Sequence, residues 1–412
     1  MFREKGCVVA SRRLPLTAAQ WGVWAAEQVT PGADAFRISQ LVWLDGGVGA
    51  GVDASVLVRA IEWAVSEADV LSLRPVVVDD GGVPALEPAG SVPVPVVVDV
   101  APDEEIRRAA VRRCRELGGG ADRFESVSVV HRRVNGGVVW EFSTHHVFVD
   151  AYGLGLLTRR VAEVYSALIS GVGVPDRWFG EYAGLVDAGD VGSGGAVSGV
   201  DDFWVDRFAA AAEAPAVSFD SSRQFFLTDV RARVSLDDEV AAGVDAAARS
   251  VRASWADVVT AGWGLFTAAR DGRDVVAVRL PQMNRSSRAA LTTPAMLVGA
   301  APVVVEVDPS ASVSEVVAAV RVQTREGARR QVAGEALARV WPNGPEDYAA
   351  LSQVNVKAFD YDFSFGGVSG RQETVAGGPA GRLDVMVYRD AVHGFSLDVA
   401  SSDPALTRES IR

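Results

Sequence analysis

A strand-to-helix segment in the middle of the chain restricts the fold most strongly, because two elements of different period meet there at a polar cluster. An apolar run at 138–142 predicts a strand, and the stretch 154–168 predicts a helix. Between them lie His145, His146 and Asp150, and the two histidines are half of the four in the chain. Neighbouring side chains on a strand point to opposite faces, so we expect one histidine inside and the other in a cleft.

This polar cluster has a chemical and a structural interpretation. A neutral imidazole at the end of a strand accepts a proton near pH 7, as a general base must. Asp150 lies four residues after His146 and can hold a backbone segment or pair with a buried arginine. The alternative is a pair of hydrogen-bonded core histidines followed by an aspartate that caps a helix. The motif alone leaves both interpretations open.

Length and composition exclude several classes of protein. At 412 residues the chain is long enough for two to three domains. Its formal net charge of −13, with no visible basic patch, argues against a nucleic-acid partner. Cys7 and Cys114 are too few for a disulfide framework or a zinc site. No apolar region follows the N-terminal charges, and no uncharged stretch is long enough to span a bilayer. We therefore expect a soluble, cytoplasmic protein without a membrane partner.

Helical and strand patterns alternate in both halves of the chain, which predicts two α/β lobes of similar size. The predicted helices cover 53–66, 103–117, 154–168, 236–250, 254–270 and 312–332, and two more begin after Thr17 and at Val200. The predicted strands cover 38–44, 126–134, 138–145, 229–235, 274–280, 301–307, 354–366, 383–389 and 393–399, with short valine-rich strands near 71–100. A run rich in Gly, Ser, Asp and Ala at 171–199 indicates a boundary or crossover linker. We place the N-terminal lobe at 1–175 and the C-terminal lobe at 176–412.

Five segments, in the right order and spread over nearly the whole chain, resemble the condensation domains of nonribosomal peptide synthetases. His145-His146-Val-Phe-Val-Asp150 is similar to the HHxxxDG core of that family. The other four are 14–20 (LPLTAAQ), 69–74 (DVLSLR), Asn284-Arg285 with 294–302 (PAMLVGAAP), and 355–363 (NVKAFDYDF). The order of the five is more specific than the histidine motif alone.

The resemblance implies a fold and an activity. The fold is like chloramphenicol acetyltransferase: two α/β lobes form a V-shaped pseudo-dimer with a central tunnel, and crossover segments of the C-terminal lobe contact the N-terminal lobe. The activity is transfer of an acyl or peptidyl group from a donor carrier-protein thioester to the amine of an acceptor aminoacyl carrier-protein thioester. The carriers deliver the phosphopantetheine arms, so the chain itself binds no cofactor. A neighbouring adenylation domain is a further implied partner, in bacterial secondary metabolism.

The resemblance also implies roles for individual residues. His146 matches the catalytic histidine, which acts either as a general base or by positioning the amine and the tetrahedral intermediate. Asp150 matches a structural residue, ion-paired to the matched Arg285. His145 and Gly153 are expected to support the site, and no metal ligand is expected.

The sequence departs from the family pattern in three places. Ala151 stands where the motif has glycine, with Gly153 two residues later, and Gly299 stands where the fifth motif usually has asparagine. Those changes put the approach of the backbone to the substrate and the acceptor side of the tunnel in question. The chain also stops at Arg412, before a last helix that family members usually have, which suggests a piece of a larger synthetase. Its start at Met1, shortly before the first motif, suggests a donor carrier from another protein.

Several rival functions lack the residues that they need. Zinc would require about three ligands, and His131 and His393 are isolated. No G-x-S-x-G elbow is present. The segment 363–369 imitates the serine site of a carrier domain, but no helix is predicted after it. The aspartate pattern of heterocyclisation domains and the glutamate-rich motif of epimerisation domains are also absent. Ester formation from an alcohol and a silent docking domain remain as alternatives, and neither substrate is specified.

Overall fold

Two α/β units make up the structure, and the chain passes between them repeatedly. The computed structural model describes residues 13–28, 30, 32–45, 51–77, 84–90, 93–120, 122–187, 202–212, 223, 226–228, 230–330, 334–357, 362–390 and 394–411. The first unit comprises 1–195, 285–297 and 360–378, and the second comprises 196–284, 298–359 and 379–412. Three segments that follow the predicted lobe boundary at residue 175 therefore belong to the first unit: 176–195, 285–297 and 360–378.

Up to residue 187 the described chain contains seven strands and five α-helices. They are β1 (Leu14–Pro15), α1 (Ala18–Gln28), β2 (Arg37–Leu44), α2 (Ala54–Glu67), β3 (Leu73–Val77), β4 (Pro84–Pro88), β5 (Pro95–Ala101), α3 (Asp103–Gly118), β6 (Val127–Arg133), β7 (Val138–His145), α4 (Ala151–Ser170) and α5 (Tyr182–Asp187). A short 3₁₀ helix, Asp69–Ser72, precedes β3. Thr17 caps α1 as predicted, since its hydroxyl accepts a hydrogen bond from the Gln20 backbone N–H at 3.1 Å.

The remaining described chain supplies both units. Its elements are α6 (Asp202–Ala212), β8 (Arg231–Ser235), α7 (Asp238–Ser250), α8 (Trp255–Asp271), β9 (Val275–Gln282), α9 (Arg288–Thr292), β10 (Gly299–Glu306), α10 (Val313–Arg330), α11 (Gly334–Val340), α12 (Gly344–Ala350), β11 (Ser352–Lys357), β12 (Asp362–Phe365), β13 (Val368–Gly377), β14 (Asp384–Asp390) and β15 (Gly394–Ala400). Of these, α9, β12 and β13 lie in the first unit.

The six-stranded sheet of the first unit carries the histidine motif near its middle. Its strand order is β12-β13-β2-β7-β6-β5, and all neighbours are antiparallel except the parallel pair β5–β6. Every residue of β2 and β7 is buried. One face packs on apolar residues of α2 and α4, such as Ile61 and Leu157. The other face packs on Ile106 and Ala110 of α3. Covering both faces keeps these strands rigid.

The second unit has its own six-stranded sheet, in the order β10-β9-β11-β14-β15-β8. Strand β11 is parallel to both of its neighbours, whereas the other pairs are antiparallel. Valines at the centre of the sheet, among them Val278, Val354 and Val385, form its core. A small sheet, β1-β4-β3, belongs to the first unit.

The structure corrects one predicted strand. The interval 354–366 was expected to be a single strand, but it contains β11 in the second unit and β12 in the first. Residues 358–361 of this interval lie outside the described part of the chain. The next strand, β13, was not predicted, because a Gly-Gly turn and a polar sequence follow β12. The imitation of a carrier serine site at 363–369 is thus a β-hairpin.

Candidate functional site

Strand β7 places the two histidines at one end of the sheet. Its last residue, His145, is paired across from Arg37 at the start of β2. The pairing extends one residue further, because the His146 N–H donates a hydrogen bond to the Phe36 carbonyl at 2.7 Å. His146 is therefore held to the sheet by its backbone, although it follows the last strand residue.

His145 faces a closed polar network. Its Nδ1 accepts a hydrogen bond from the Val147 N–H at 3.1 Å, so Nε2 carries the proton that is donated to the Glu27 carboxylate, also at 3.1 Å. Arg123 forms an ion pair with the same Glu27 carboxylate at 2.9 Å. The Phe124 ring lies edge-on to the imidazole, with centroids 4.8 Å apart. Burial lowers the pKa of His145 below its ordinary value, although the hydrogen bond to Glu27 acts in the opposite direction.

Arg37 fixes the loop that covers His145. Its guanidinium donates hydrogen bonds to the carbonyls of Arg123 at 3.0 Å and Glu125 at 2.9 Å, and to the Ser143 hydroxyl at 3.1 Å. Burial lowers the pKa of Arg37 to about 10, which still leaves it cationic at neutral pH. The buried cation thus holds the segment that carries Phe124.

His146 has a different environment from its neighbour. It retains 9% of its surface exposed, against 1% for His145. The edge of its imidazole formed by Cδ2 and Nε2 lies against Gly378, the first residue after β13. His146 thus keeps slightly more exposed surface than His145, in keeping with the expectation that adjacent side chains point in opposite directions.

Asp150 ties three backbone segments together at the start of α4. As the N-cap, it accepts a hydrogen bond from the Gly153 N–H at 2.8 Å. Both of its carboxylate oxygens lie 3.0 Å from Nη2 of Arg285, which is the ion pair that the family resemblance implies. A further hydrogen bond comes from the Leu297 N–H at 3.0 Å. The carboxylate is therefore buried but well supplied with donors.

Arg285 is committed to this structural role by its other contacts. It donates hydrogen bonds to the carbonyls of Thr293 at 2.9 Å and Ala295 at 2.7 Å, and to that of Ala290. Its guanidinium carbon lies 4.5 Å from the centroid of the Tyr152 ring. The guanidinium thus joins the loop around α9 to the first turn of α4.

Two backbone segments approach each other closely at Gly153. A Cβ on Gly153 would lie 3.3 Å from both Pro294 Cα and Ala295 N, and 2.4 Å from a methyl group of Val149. Ala151, which stands at the glycine position of the family motif, is half-buried at the start of α4. The backbone around Arg285 can approach α4 because Gly153 has no side chain.

The first two matched segments build the framework of the first unit. Gln20 accepts hydrogen bonds from the Thr17 N–H at 2.8 Å and from the Tyr182 hydroxyl at 2.5 Å. Asp69 accepts one from the Tyr182 N–H at 2.8 Å. In the last matched segment, Asn355 lies on β11 and Phe363 on β12, so its two ends belong to different units.

Sequence reasoning did not identify four residues that surround the histidines: Glu27, Arg37, Phe124 and Gly378. The first three lie far from the motif in sequence and carry no local signal. For the fourth, the run Gly377-Gly378-Pro379 was a usable signal, since consecutive glycines before a proline indicate an unusual backbone conformation.

The described part of the chain contains no group of three or more His, Cys, Asp or Glu residues arranged to hold a metal ion. None of its helices is long and apolar enough to cross a membrane.

Comparison with known proteins identifies the family. Residues 10–338 match the model of the condensation domain, and the chain therefore belongs to the condensation domain family. The first condensation domain of the calcium-dependent antibiotic synthetase, solved in complex with substrate analogue 2a, has a similar fold, with a TM-score of 0.82 at 24% identity. That match covers 97% of this chain and 93% of the solved domain. The resemblance and the α/β fold class predicted from sequence are both confirmed.

Two curated relatives are much longer proteins. The isonitrile lipopeptide synthase of Streptomyces coeruleorubidus is 31% identical over 413 residues, and the match covers 97% of this chain but 27% of that protein. The dimodular nonribosomal peptide synthase of Bacillus subtilis (strain 168) is 27% identical, and the match covers 96% of this chain and 17% of that protein. The chain thus corresponds to one part of each multidomain synthase.

Proposed function

We propose that this chain forms an amide bond between two carrier-bound substrates. The donor is an acyl or peptidyl thioester on one carrier protein, and the acceptor is the amine of an aminoacyl thioester on a second. Phosphopantetheine arms of the carriers bring both substrates, and a neighbouring adenylation domain loads the acceptor. Support comes from the family membership and from relatives that are peptide and lipopeptide synthases.

The different environments of the two adjacent histidines are the observation that carries this proposal. His145 has both ring nitrogens in hydrogen bonds to Glu27 and Val147, so we assign it a supporting role. His146 keeps surface exposed at the end of a rigid strand, and we assign it the catalytic role. Asp150, Arg285 and Gly153 hold the turn that follows it.

An α-amine has a pKa of about 8, so a large share is protonated at neutral pH and must first release one proton to solvent. From the neutral amine, the reaction moves one further proton from nitrogen to sulfur. The amine nitrogen forms a bond to the thioester carbonyl carbon, and the carbon–sulfur bond breaks. His146 takes the proton from the nitrogen, and the departing thiolate receives it. Positioning the amine is the alternative contribution of the same ring.

Replacing His146 tests the proposal. We expect His146→Ala to slow formation of the condensed product by at least about 100-fold, which is the usual lower range for loss of acid–base catalysis. The measurement is the intact mass of the acceptor carrier after incubation with a loaded donor carrier. The control is His131→Gln, because His131 is a histidine of the same sheet whose ring pairs with Glu141.

Other outcomes distinguish the alternatives. Product from a hydroxyacyl acceptor but not from an aminoacyl acceptor would favour ester formation. No product from the native chain with varied donors would favour a docking domain without catalysis. Full product with His146→Ala would contradict the role given to this histidine.

A further inference from the structure

We propose that Gly378 is the residue that positions the His146 imidazole. The inference rests on the proposed function in one respect: it takes His146 as the histidine that reacts. Gly378 follows β13 directly, and both residues lie in the first unit. Gly378 contributes by having no side chain next to the imidazole.

The local geometry at Gly378 leaves no room for a methyl group. A Cβ built there would lie 2.9 Å from Cδ2 of His146 and 3.2 Å from its Nε2. Non-bonded carbons are normally about 3.5–4.0 Å apart, so one group would have to move. The nearest atoms belong to the end of the imidazole and not to backbone, so the ring would be displaced. The ring thus occupies space that any other residue at 378 would fill.

The backbone conformation of Gly378 also favours glycine, independently of the imidazole. Its φ of +96° lies in the region that side-chain-bearing residues rarely adopt. The described turn of the β12–β13 hairpin contains a second glycine in this region, Gly367, with a φ of +91° and nothing near its Cβ position. At position 378, both the backbone conformation and the contact with His146 favour glycine. At position 367, only the backbone conformation does so.

The register of three strands explains how the contact arises. In the sheet order β13-β2-β7, Gly377 pairs with Ile38, and Ile38 pairs with Thr144. Residues 378 and 146 therefore leave the sheet at the same end, on either side of β2. The imidazole of His146 extends across the start of β2 to meet Gly378. A bulge in β13 between Thr374 and Ala376 sets this register, so Gly378 and not Gly377 faces the ring.

A methyl group at Gly378 would also crowd the space around Nε2. The methyl carbon would lie 3.2 Å from Nε2, which is the distance at which a hydrogen-bond partner of Nε2 would lie. A nucleophile that gives its proton to Nε2 needs part of that volume. Gly378 thus affects the orientation of the ring and the access to it, and both effects act on the step in which the proton moves.

The test compares three alanine variants of the full chain. Gly378→Ala carries both the strain and the contact with His146. Gly367→Ala carries the strain alone, and Gly377→Ala carries neither, because its nearest atom beyond its chain neighbours is a Thr374 methyl at 3.6 Å. For each variant, the histidine ring signals are followed by NMR against pH with ¹⁵N-labelled histidine, and kcat and KM are measured for condensation. His146→Ala assigns the His146 signals.

We expect only Gly378→Ala to shift the ring signals and titration of His146. It should also lower kcat about 10- to 100-fold, the usual cost of misplacing a catalytic group, with the donor KM unchanged. Unchanged His146 signals in Gly378→Ala would overturn the proposal, whatever the activity. A shift of these signals in a chain that makes no product would support the positioning role and count against the proposed function.

A double variant covers the case in which Gly378→Ala does not fold. Removing the imidazole removes the contact, so His146→Ala combined with Gly378→Ala should unfold at the temperature expected from strain alone, as measured with Gly367→Ala. Restored folding in the double variant would support the proposal. Equal loss of folding with and without the imidazole would contradict it.

Discussion

At the scale of single residues, two chemically identical side chains are given different properties by one step along a strand. His145 is enclosed by Glu27, Phe124 and the backbone, and its imidazolium form is disfavoured. His146 contacts a glycine and retains some exposed surface. Adjacent residues at the end of a strand face different surroundings, and the packing of α1, of the loop at 122–125 and of Gly378 supplies those surroundings.

The lowered pKa of His145 predicts a pH dependence of stability. An unfolded histidine takes up a proton near pH 6.5, whereas the folded protein resists it, so the stabilisation is complete above that pH and is lost as the pH falls. His145→Gln keeps a donor and an acceptor but does not titrate. Below about pH 6.5 the native chain should lose up to about 1.4 kcal/mol more per pH unit than His145→Gln.

Urea unfolding at several pH values between about 5 and 7.5 measures this difference. Arg37, Arg123 and Glu27 surround His145 in both proteins, and His131 is common to both, so their contributions largely cancel. Parallel stability curves for the two proteins would contradict the prediction.

The site residues that belong to a sequence motif could be predicted from the sequence, whereas the residues that surround the histidines could not. The pair of Asp150 with Arg285 followed from the family pattern, because both positions are parts of motifs. Glu27, Arg37 and Gly378 could not be assigned, since their proximity to the histidines depends on strand register and on how α1 and the loop at 122–125 pack. Register and packing leave no local trace at Glu27 and Arg37, and the glycine run at 377–378 indicates an unusual backbone without indicating the residue that it contacts.

At the scale of elements, several contacts converge on the first turn of α4. Asp150 caps the helix and pairs with Arg285, and Gly153 lets the segment at 294–295 approach. Gly155, two residues further along the helix, has nothing within 4 Å of its Cβ position. A methyl group would therefore be crowded at Gly153 but has free space at Gly155 of the same helix.

We predict opposite effects of alanine at these two positions. Gly153→Ala should destabilise the protein by about 1–3 kcal/mol, because the methyl group overpacks against Val149 and the backbone of 294–295. Gly155→Ala should stabilise it by about 0.5–1 kcal/mol, the usual gain from replacing glycine inside a helix. The free energy of unfolding in urea measures both. A neutral Gly153→Ala would show that the contact is looser than described.

Several element boundaries of the first unit were predicted closely from local patterns. The helix predicted at 103–117 and the strands predicted at 126–134 and 138–145 agree closely with α3, β6 and β7. Strand β13 was missed because its sequence, VSGRQETVAG, contains few apolar residues. It is a strand because it pairs with β2 along its length, which is a tertiary cause.

At the scale of the whole molecule, neither unit is a continuous stretch of chain. The first unit needs Arg285, the Leu297 N–H and strand β13, all of which come after residue 284. Local patterns predicted two α/β lobes but not this interleaving, because periodicity reports secondary structure and not which elements share a core.

A fragment ending at residue 195 should therefore fail to fold. It would leave Asp150 buried without Arg285, and breaking a buried pair costs about 3–5 kcal/mol. It would also expose the edge of β2 that pairs with β13. We expect no cooperative thermal unfolding and no near-UV circular dichroism from the fragment, with the full chain as the control. A cooperative transition in the fragment would contradict this.

The interleaving also constrains how genes for such domains can recombine. A single breakpoint between codons 195 and 285 would take Asp150 from one parent and its arginine from the other, and would separate His146 from Gly378 in the same way. A functional hybrid therefore needs both members of the pairs 146/378 and 150/285 from the same parent. A chimera that exchanges only the second unit has to keep 285–297 and 360–378 from the parent that supplies the histidines.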